Sequence, residues 1–386
     1  MNPKSIINLF SILVLLFSFS FIFPIVISII FDDGALPIFL KTLISIFLIG
    51  LIGLFFTRNI KNDLSQKDGF VIIVMFWIVL SLTGSVPFYL SGMSLIDSVF
   101  ESMSGITTTG ATVISSLDGL PESLLFYRQL LQWMGGMGLI VLAIAVMPLL
   151  GIGGGQIYKT EVPGAMGEQR LTPRIKETAQ ALWLIYFGLT AMCGVLYYLS
   201  GMNAFDAISH AMSTVAIGGF STHDESIGFF NSISIELICI CFMLLSAFSF
   251  ALHYFAIYKK KPLKYAFDPE FRFFMSFLLV TLLIAVLIGF FVESDKSPSL
   301  REIIFHTVSM VTTTGFSISD SSDWPFSMSF LLLIGAFVGA CSGSVGGGVK
   351  SWRIMIMLNH AYKNIMKIIH PNSVISLKIG TKSVGD

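Results

Sequence analysis

The chain has 386 residues, 54% of them hydrophobic and only 12% charged, and its 23 basic and 23 acidic side chains cancel to zero net charge. Soluble domains carry nearer 25% charge, so this composition and a mean hydropathy of +0.83 exclude a water-soluble chain and place it in lipid. Cys193, Cys239, Cys241 and Cys341 lie in apolar or glycine-rich stretches without zinc-ligand spacing, which reads as packing and implies no disulfide framework.

After Lys4 the apolar run from Ile6 to Ile30 is long enough to span a bilayer and too long for a signal-peptide core. Further runs of crossing length follow at roughly 36–57, 70–91, 124–150, 178–200, 231–258, 271–292 and 326–358. Between them sit shorter pieces at about 94–106, 203–215 and 299–311. A helix of that length rises only about 20 Å, short of the roughly 30 Å hydrocarbon core, so each piece must enter and leave by one face. With Lys4 inside, most of the basic residues fall on the same side. Arg58, Lys61 and Lys67 mark one inner loop, and Lys159, Arg170, Arg174 and Lys176 a second. Lys259, Lys260, Lys261, Lys264 and Arg272 mark a third, while Lys350 and Arg353 open the C-terminal tail. Asp32, Asp33, Asp118, Asp224, Asp320 and Asp323 fall outside, where an acidic mouth concentrates cations.

The stretch Ile106–Thr112 returns twice. With Gly110 laid over Gly219 and Gly315, spacings of about 109 and 96 residues appear, which suit a repeated helix-loop-helix membrane unit. Asp97, Asp206 and Glu302 then share one position, Glu101, His210 and His306 a second, and Ser104, Ser213 and Ser309 a third. Each unit reads outer helix, short helix, loop, inner helix. The expected divisions are a two-helix region over 1–67, repeats over 68–158, 159–264 and 265–370, and a cytoplasmic tail over 371–386. The fold class is all-α integral membrane, with the units arranged around a pseudo-symmetric pore. Loops rich in Thr and Gly offer carbonyls and hydroxyls that replace water around a cation. The filter candidates are Thr108, Thr109 and Gly110, Ile217, Gly218 and Gly219, and Thr313, Thr314 and Gly315. The bland alternative, small residues that only let helices approach, does not account for one register kept three times.

The residues that follow carry a family resemblance. Gln132-Trp-Met-Gly-Gly-Met-Gly138, Met147-Pro-Leu-Leu-Gly-Ile-Gly-Gly154, Ala204-Phe-Asp-Ala-Ile208 and Ala216-Ile-Gly-Gly-Phe-Ser-Thr-His-Asp224 resemble TrkH-type potassium uptake proteins. So do Val311-Thr-Thr-Thr-Gly-Phe-Ser317 and Cys341-Ser-Gly-Ser-Val-Gly-Gly-Gly348. The similarity runs through essentially the whole chain, and the two helices before the first repeat favour the TrkH branch over the shorter KtrB branch. The resemblance implies a potassium-translocating membrane protein of the bacterial inner membrane, working as a homodimer with a cytoplasmic nucleotide-binding subunit of the TrkA type. It implies potassium at the filter residues and an intramembrane gate at Gly343, Gly346, Gly347 and Gly348. No nucleotide bound to this chain and no nucleic-acid partner are expected. The family has four repeats, whereas this chain stops at Asp386 after the third, so a truncated chain is expected, or a second polypeptide that supplies the rest.

Other residues are weighed singly. Glu101 reads as a polar brace between a short helix and an inner helix, or as an ion ligand. Asp97, Asp206 and Glu302 suit helix N-termini, where a carboxylate opposes the positive dipole end. Arg128 is expected to snorkel to the interface, and His223 and Asp224 to lie in an outer vestibule. In Gly343-Ser-Val-Gly-Gly-Gly-Val-Lys350-Ser351 the lysine comes one residue too late for a phosphate loop. No paired nucleophile and base or metal set appears, which speaks against an enzyme. A sodium-permeable relative would carry Ser where Gly110 stands, and a non-conducting remnant remains the other alternative.

Overall fold

A computed structural model describes residues 3–57, 66–138, 175–291, 298–322, 324–370, 377–379 and 382–384. The chain begins with α1 (Pro3–Ser18), which continues through a single 3-10 turn into α2 (Ile22–Phe31), and returns as α3 (Leu36–Thr57). The first unit holds α4 (Gln66–Gly84), α5 (Val86–Leu90), the short α6 (Leu95–Ile106) and α7 (Glu122–Trp133), which runs into a π-helical turn at Met134–Gly138. The second holds α8 (Ile175–Leu199), the short α9 (Ala204–Val215), α10 (Ile233–Ala247) and α11 (Phe250–Ile257). After α12 (Lys264–Phe267), the third holds α13 (Pro269–Phe291), the short α14 (Leu300–Val311), α15 (Phe326–Val338) and α16 (Ser351–Ile369). A small antiparallel hairpin, β1 (Leu377–Ile379) and β2 (Lys382–Val384), lies beyond them.

Among the described residues, Lys4–Phe31, Leu36–Thr57, Gln180–Leu199 and Pro269–Phe291 are long and apolar enough to cross a membrane. Their outward faces carry bare hydrophobics such as Phe55, Leu199 and Phe290, as lipid requires of a helix that buries little of itself in protein. Inside the first unit Tyr127 is fully buried among Phe21, Phe39 and Phe88, with ring centroids 5.6, 5.6 and 5.4 Å away. Its hydroxyl donates to the Gly84 carbonyl at 2.9 Å, so the one polar atom in this aromatic core is paired.

Two expected spans are broken. The run 231–258 bends by 98° between α10 and α11. The run 326–358 stops at Val338 and resumes at Ser351. The cause is shared: the two breaks hydrogen-bond to each other. Cys341 N–H donates to the Ala247 carbonyl at 3.1 Å, Val345 N–H to Ser246 at 3.4 Å, and Phe250 N–H to Gly343 at 3.0 Å. Irregular backbone within a bundle is stable only where such partners exist. The remainder of the expected span 124–150 past Gly138, the Met147–Gly154 motif, Arg58, Lys61, Lys159, Arg170, Arg174 and Asp323 lie outside the described residues.

Candidate functional site

Each short helix has 12 residues and begins on a side-chain cap. Ser94 Oγ accepts from Asp97 N–H at 3.1 Å, and Asn203 Oδ1 from Asp206 N–H at 2.8 Å. Ser299 and Glu302 form a reciprocal capping box. The aligned acids Asp97, Asp206 and Glu302 therefore sit in first turns, where the helix dipole stabilises them.

The helices end alike as well. Thr108 N–H donates to Gly105 O and Thr109 N–H to Ser104 O; Ile217 and Gly218 bond to Thr214 and Ser213 in the same way. Thr313 and Thr314 repeat the pattern with Met310 and Ser309. The aligned serines thus supply the carbonyls that close each C-terminus. Beyond them the backbone changes hand twice. Thr108, Ile217 and Thr313 have φ of +55°, +53° and +66°, and Gly110, Gly219 and Gly315 have +77°, +80° and +86°. Branched side chains at positive φ are rare and cost on the order of 1–3 kcal/mol each. Three of them at one alignment position mark a conformation imposed by the fold. A chain that alternates right- and left-handed residues turns successive carbonyls to one side, which is the arrangement that strips water from a cation.

The glycines meet across the loops. A methyl group on Gly110 would be driven into the Gly218 carbonyl oxygen and would come within 3.7 Å of Gly219 Cα. One on Gly219 would be driven into the Thr314 carbonyl oxygen and would lie 3.3 Å from the Gly315 carbonyl carbon. The first loop therefore abuts the second and the second abuts the third.

Buried polar side chains hold the loops from behind. Arg128, at 1% exposure, does not reach for the surface as expected. Its Nε donates to Glu101 Oε1 at 2.7 Å, and both groups are buried. The same guanidinium donates to the Ser221 carbonyl and to Thr112 Oγ1, each at 3.2 Å, and its carbon lies 4.2 Å above the Phe220 ring. Glu101 in turn accepts from Thr112 Oγ1 at 3.0 Å and from Val113 N–H at 3.3 Å. His210 takes the corresponding place in the second unit, with Nδ1 donating to Asp206 O and Nε2 accepting from Ser221 Oγ, both at 2.9 Å. His306 keeps the first bond, to Glu302 O at 3.0 Å; its ring meets Trp324 at 4.7 Å between centroids in a T-shaped contact, and its Nε2 has no hydrogen-bond partner among the described residues.

Sequence reasoning passed over Gln132. Its Nε2 donates to the Gly218 carbonyl at 2.6 Å, and its Oε1 accepts from Ser213 Oγ at 2.7 Å and Phe220 N–H at 3.2 Å. It stands near the end of α7 and opens the Gln132–Gly138 motif, which by itself assigns the side chain no partner. Gln132→Leu leaves those buried groups unpaired, at about 1–3 kcal/mol for each. A clear fall in the melting temperature of the detergent-purified protein is the expected result, and an unshifted melt contradicts it.

His223 and Asp224 are both tied into the loops, and Asp224 is exposed. His223 Nε2 bonds to Asp206 Oδ2 at 3.1 Å, and its ring stacks on Phe229 with centroids 3.6 Å apart. Asp224 ties the first loop to the second, accepting from Leu117 N–H at 2.7 Å and Ser116 Oγ at 3.0 Å. The Leu117 amide, chiefly, holds the Asp224 carboxyl below its ordinary value. A lowered value means that this tie strengthens the fold above the ordinary aspartate range and is lost as acid protonates the group. Hydrogen exchange at the Leu117 amide should therefore show an acid-dependent loss of protection that Asp224→Ala abolishes.

The glycine-rich loop lies directly against the third of these turns. Gly347 N–H donates to Thr313 Oγ1 at 2.7 Å, and a methyl on Gly346 would lie 3.0 Å from the Thr312 carbonyl oxygen. Gly343 and Gly348 have φ of +71° and +79°. Gly348 and Gly339 pack back to back with no room for a side chain on either.

The family model for TrkH, described as a cation transport protein, matches residues 35–386. The Trk system potassium uptake protein TrkH of Halomonas elongata is 48% identical over 391 residues, covering 100% of this chain and 81% of that protein. The protein of the same description from Escherichia coli is 43% identical over 390 residues, covering 100% of this chain and 80% of that one. The crystal structure of the potassium transporter TrkH from Vibrio parahaemolyticus superposes with a TM-score of 0.88 at 43% identity, over 100% of this chain and 80% of its own. This predominantly helical integral membrane chain belongs to the TrkH family of cation transport proteins.

Proposed function

We propose that the chain takes up potassium across the bacterial inner membrane, through a path whose selective stretch is Thr108–Gly110, Ile217–Gly219 and Thr313–Gly315. The observation that carries this reading is the left-handed pair repeated in register: +55° and +77°, +53° and +80°, +66° and +86°. Such a backbone lines a path with carbonyl oxygens and needs no charged side chain in it. The short helices direct their C-terminal, partially negative ends toward the loops, which favours a cation over an anion. The units over 68–158, 159–264 and 265–370 then act as arcs of one pore, following the two-helix region 1–67 and preceding the tail 371–386.

The loop containing Gly343, Gly346, Gly347 and Gly348 serves as the gate. It sits under Thr313, its glycines leave the backbone free to move, and it interrupts an otherwise continuous helix. Transported potassium is the ion, and the reaction is translocation, with no chemical step. The protein works as a homodimer with a TrkA-type nucleotide-binding subunit on the cytoplasmic face, while this chain itself binds no nucleotide. Expression in a potassium-uptake-deficient bacterium tests the reading. Growth at low potassium, with rubidium taken up in preference to sodium, is expected; equal uptake of rubidium and sodium overturns it.

A further inference from the structure

Lys350 stands where a lysine is poorly suited. Its φ of +77° is left-handed, a region that any residue with a Cβ avoids. It also borders the N-terminus of α16, the end of a helix that repels a cation. The sequence places it in a solvated basic tail; the structure instead turns its ammonium back into the glycine-rich loop. There it donates to the Gly346 carbonyl and, at 3.4 Å, to the Ser344 carbonyl. The next residue of the loop, Gly347, is the one whose amide bonds to Thr313. The ammonium is therefore one peptide removed from the underside of the third loop.

Glu270, at the start of α13 and 6% exposed, completes the arrangement. Its carboxylate accepts from Ser342 N–H and, at 3.1 Å, from Trp352 N–H. One carboxylate thus holds the entry and the exit of the loop, and supplies the negative group that the N-terminus of α16 favours. With that end satisfied from α13, helix capping does not explain the lysine.

We propose that the Ser344 and Gly346 carbonyls form a second, internal site for a monovalent cation, and that the Lys350 ammonium fills it as a tethered blocker while the loop is closed. An ammonium is close to a potassium ion in size and is bound by the same carbonyl oxygens. A permeating ion and the lysine compete for these oxygens, and withdrawal of the loop carries the tethered cation away with it. This rests on the reading of 343–348 as the gate.

Radiolabelled rubidium uptake into proteoliposomes holding the whole protein tests the proposal. Lys350→Met is expected to raise initial flux about ten-fold, the effect of releasing a state occupied roughly nine-tenths of the time. Lys350→Cys should behave likewise, and it carries the test if the methionine variant does not assemble. Treating it with an aminoethyl thiosulfonate, which restores an ammonium on a side chain of similar length, should return flux to the original level. A neutral methyl reagent should leave flux high, and the unaltered protein controls for Cys241, which is exposed. Unchanged or reduced flux in both variants, or equal restoration by the two reagents, overturns the tethered cation. If Glu270→Gln raises flux while Lys350→Met does not, the gate reading stands and the lysine proposal alone fails.

Discussion

Arg128→Met should destabilise the protein by about 3–5 kcal/mol, because it leaves the Glu101 carboxylate buried without its counter-charge. The pair sits in a site where Glu101 is 0% and Arg128 1% exposed, so water cannot take over from the missing partner. Glu101→Leu should cost a similar amount by stranding the guanidinium. The double variant should recover much of the loss, since two apolar side chains need no pairing. Recovery should stay incomplete, because the Ser221 carbonyl and Thr112 hydroxyl also lose Arg128. Thermal melts of the four proteins in detergent measure the cycle. Strictly additive losses would show that the two charges do not depend on each other. Arg128 joins the first loop to the second, so Arg128→Met should also weaken discrimination of rubidium from sodium in whatever protein still assembles.

The second large effect is expected at Gly219. Serine there must hold φ near +80° and place its Cβ into the Thr314 carbonyl oxygen. The backbone strain alone is about 1–2 kcal/mol; the collision has to be relieved by moving the third loop, which belongs to the same proposed path. Gly92 supplies the comparison. It has φ +104° and nothing within 4 Å of an added Cβ, so Gly92→Ser carries strain without collision. Gly92→Ser should lower stability slightly and leave ion preference intact. Gly219→Ser should admit sodium alongside rubidium. Matching flux ratios in the two variants would remove Gly219 from the selective stretch.

The parts that could be read from the sequence are those fixed by short-range pattern. The spacing from Ser94, Asn203 and Ser299 to the acid three residues on is local cap chemistry, and the structure forms each cap. Glycines at 110, 219 and 315 announce a positive φ because no other residue adopts it cheaply. Thr108, Ile217 and Thr313 give no such notice, and only tertiary packing makes them left-handed. The fate of Arg128 was hidden for a related reason. Its partners lie 27 residues before it and 93 residues after it, so helix position suggested the interface while distant groups decided burial. The bend after Ala247 was equally silent, because the run 231–258 holds no Gly or Pro to mark it. Its cause lies about a hundred residues later, in backbone groups offered by 341–345.

The interlocked breaks make one latch of two helices. If the glycine-rich segment slid aside by itself, the Phe250 amide and the carbonyls of Ser246 and Ala247 would be stranded in a dry interior. The elbow between α10 and α11 must therefore travel with it or find new partners in the same motion. A pull applied to the far end of either helix, from α11 or from α16, would reach Thr313 and the proposed ion path as a single concerted displacement.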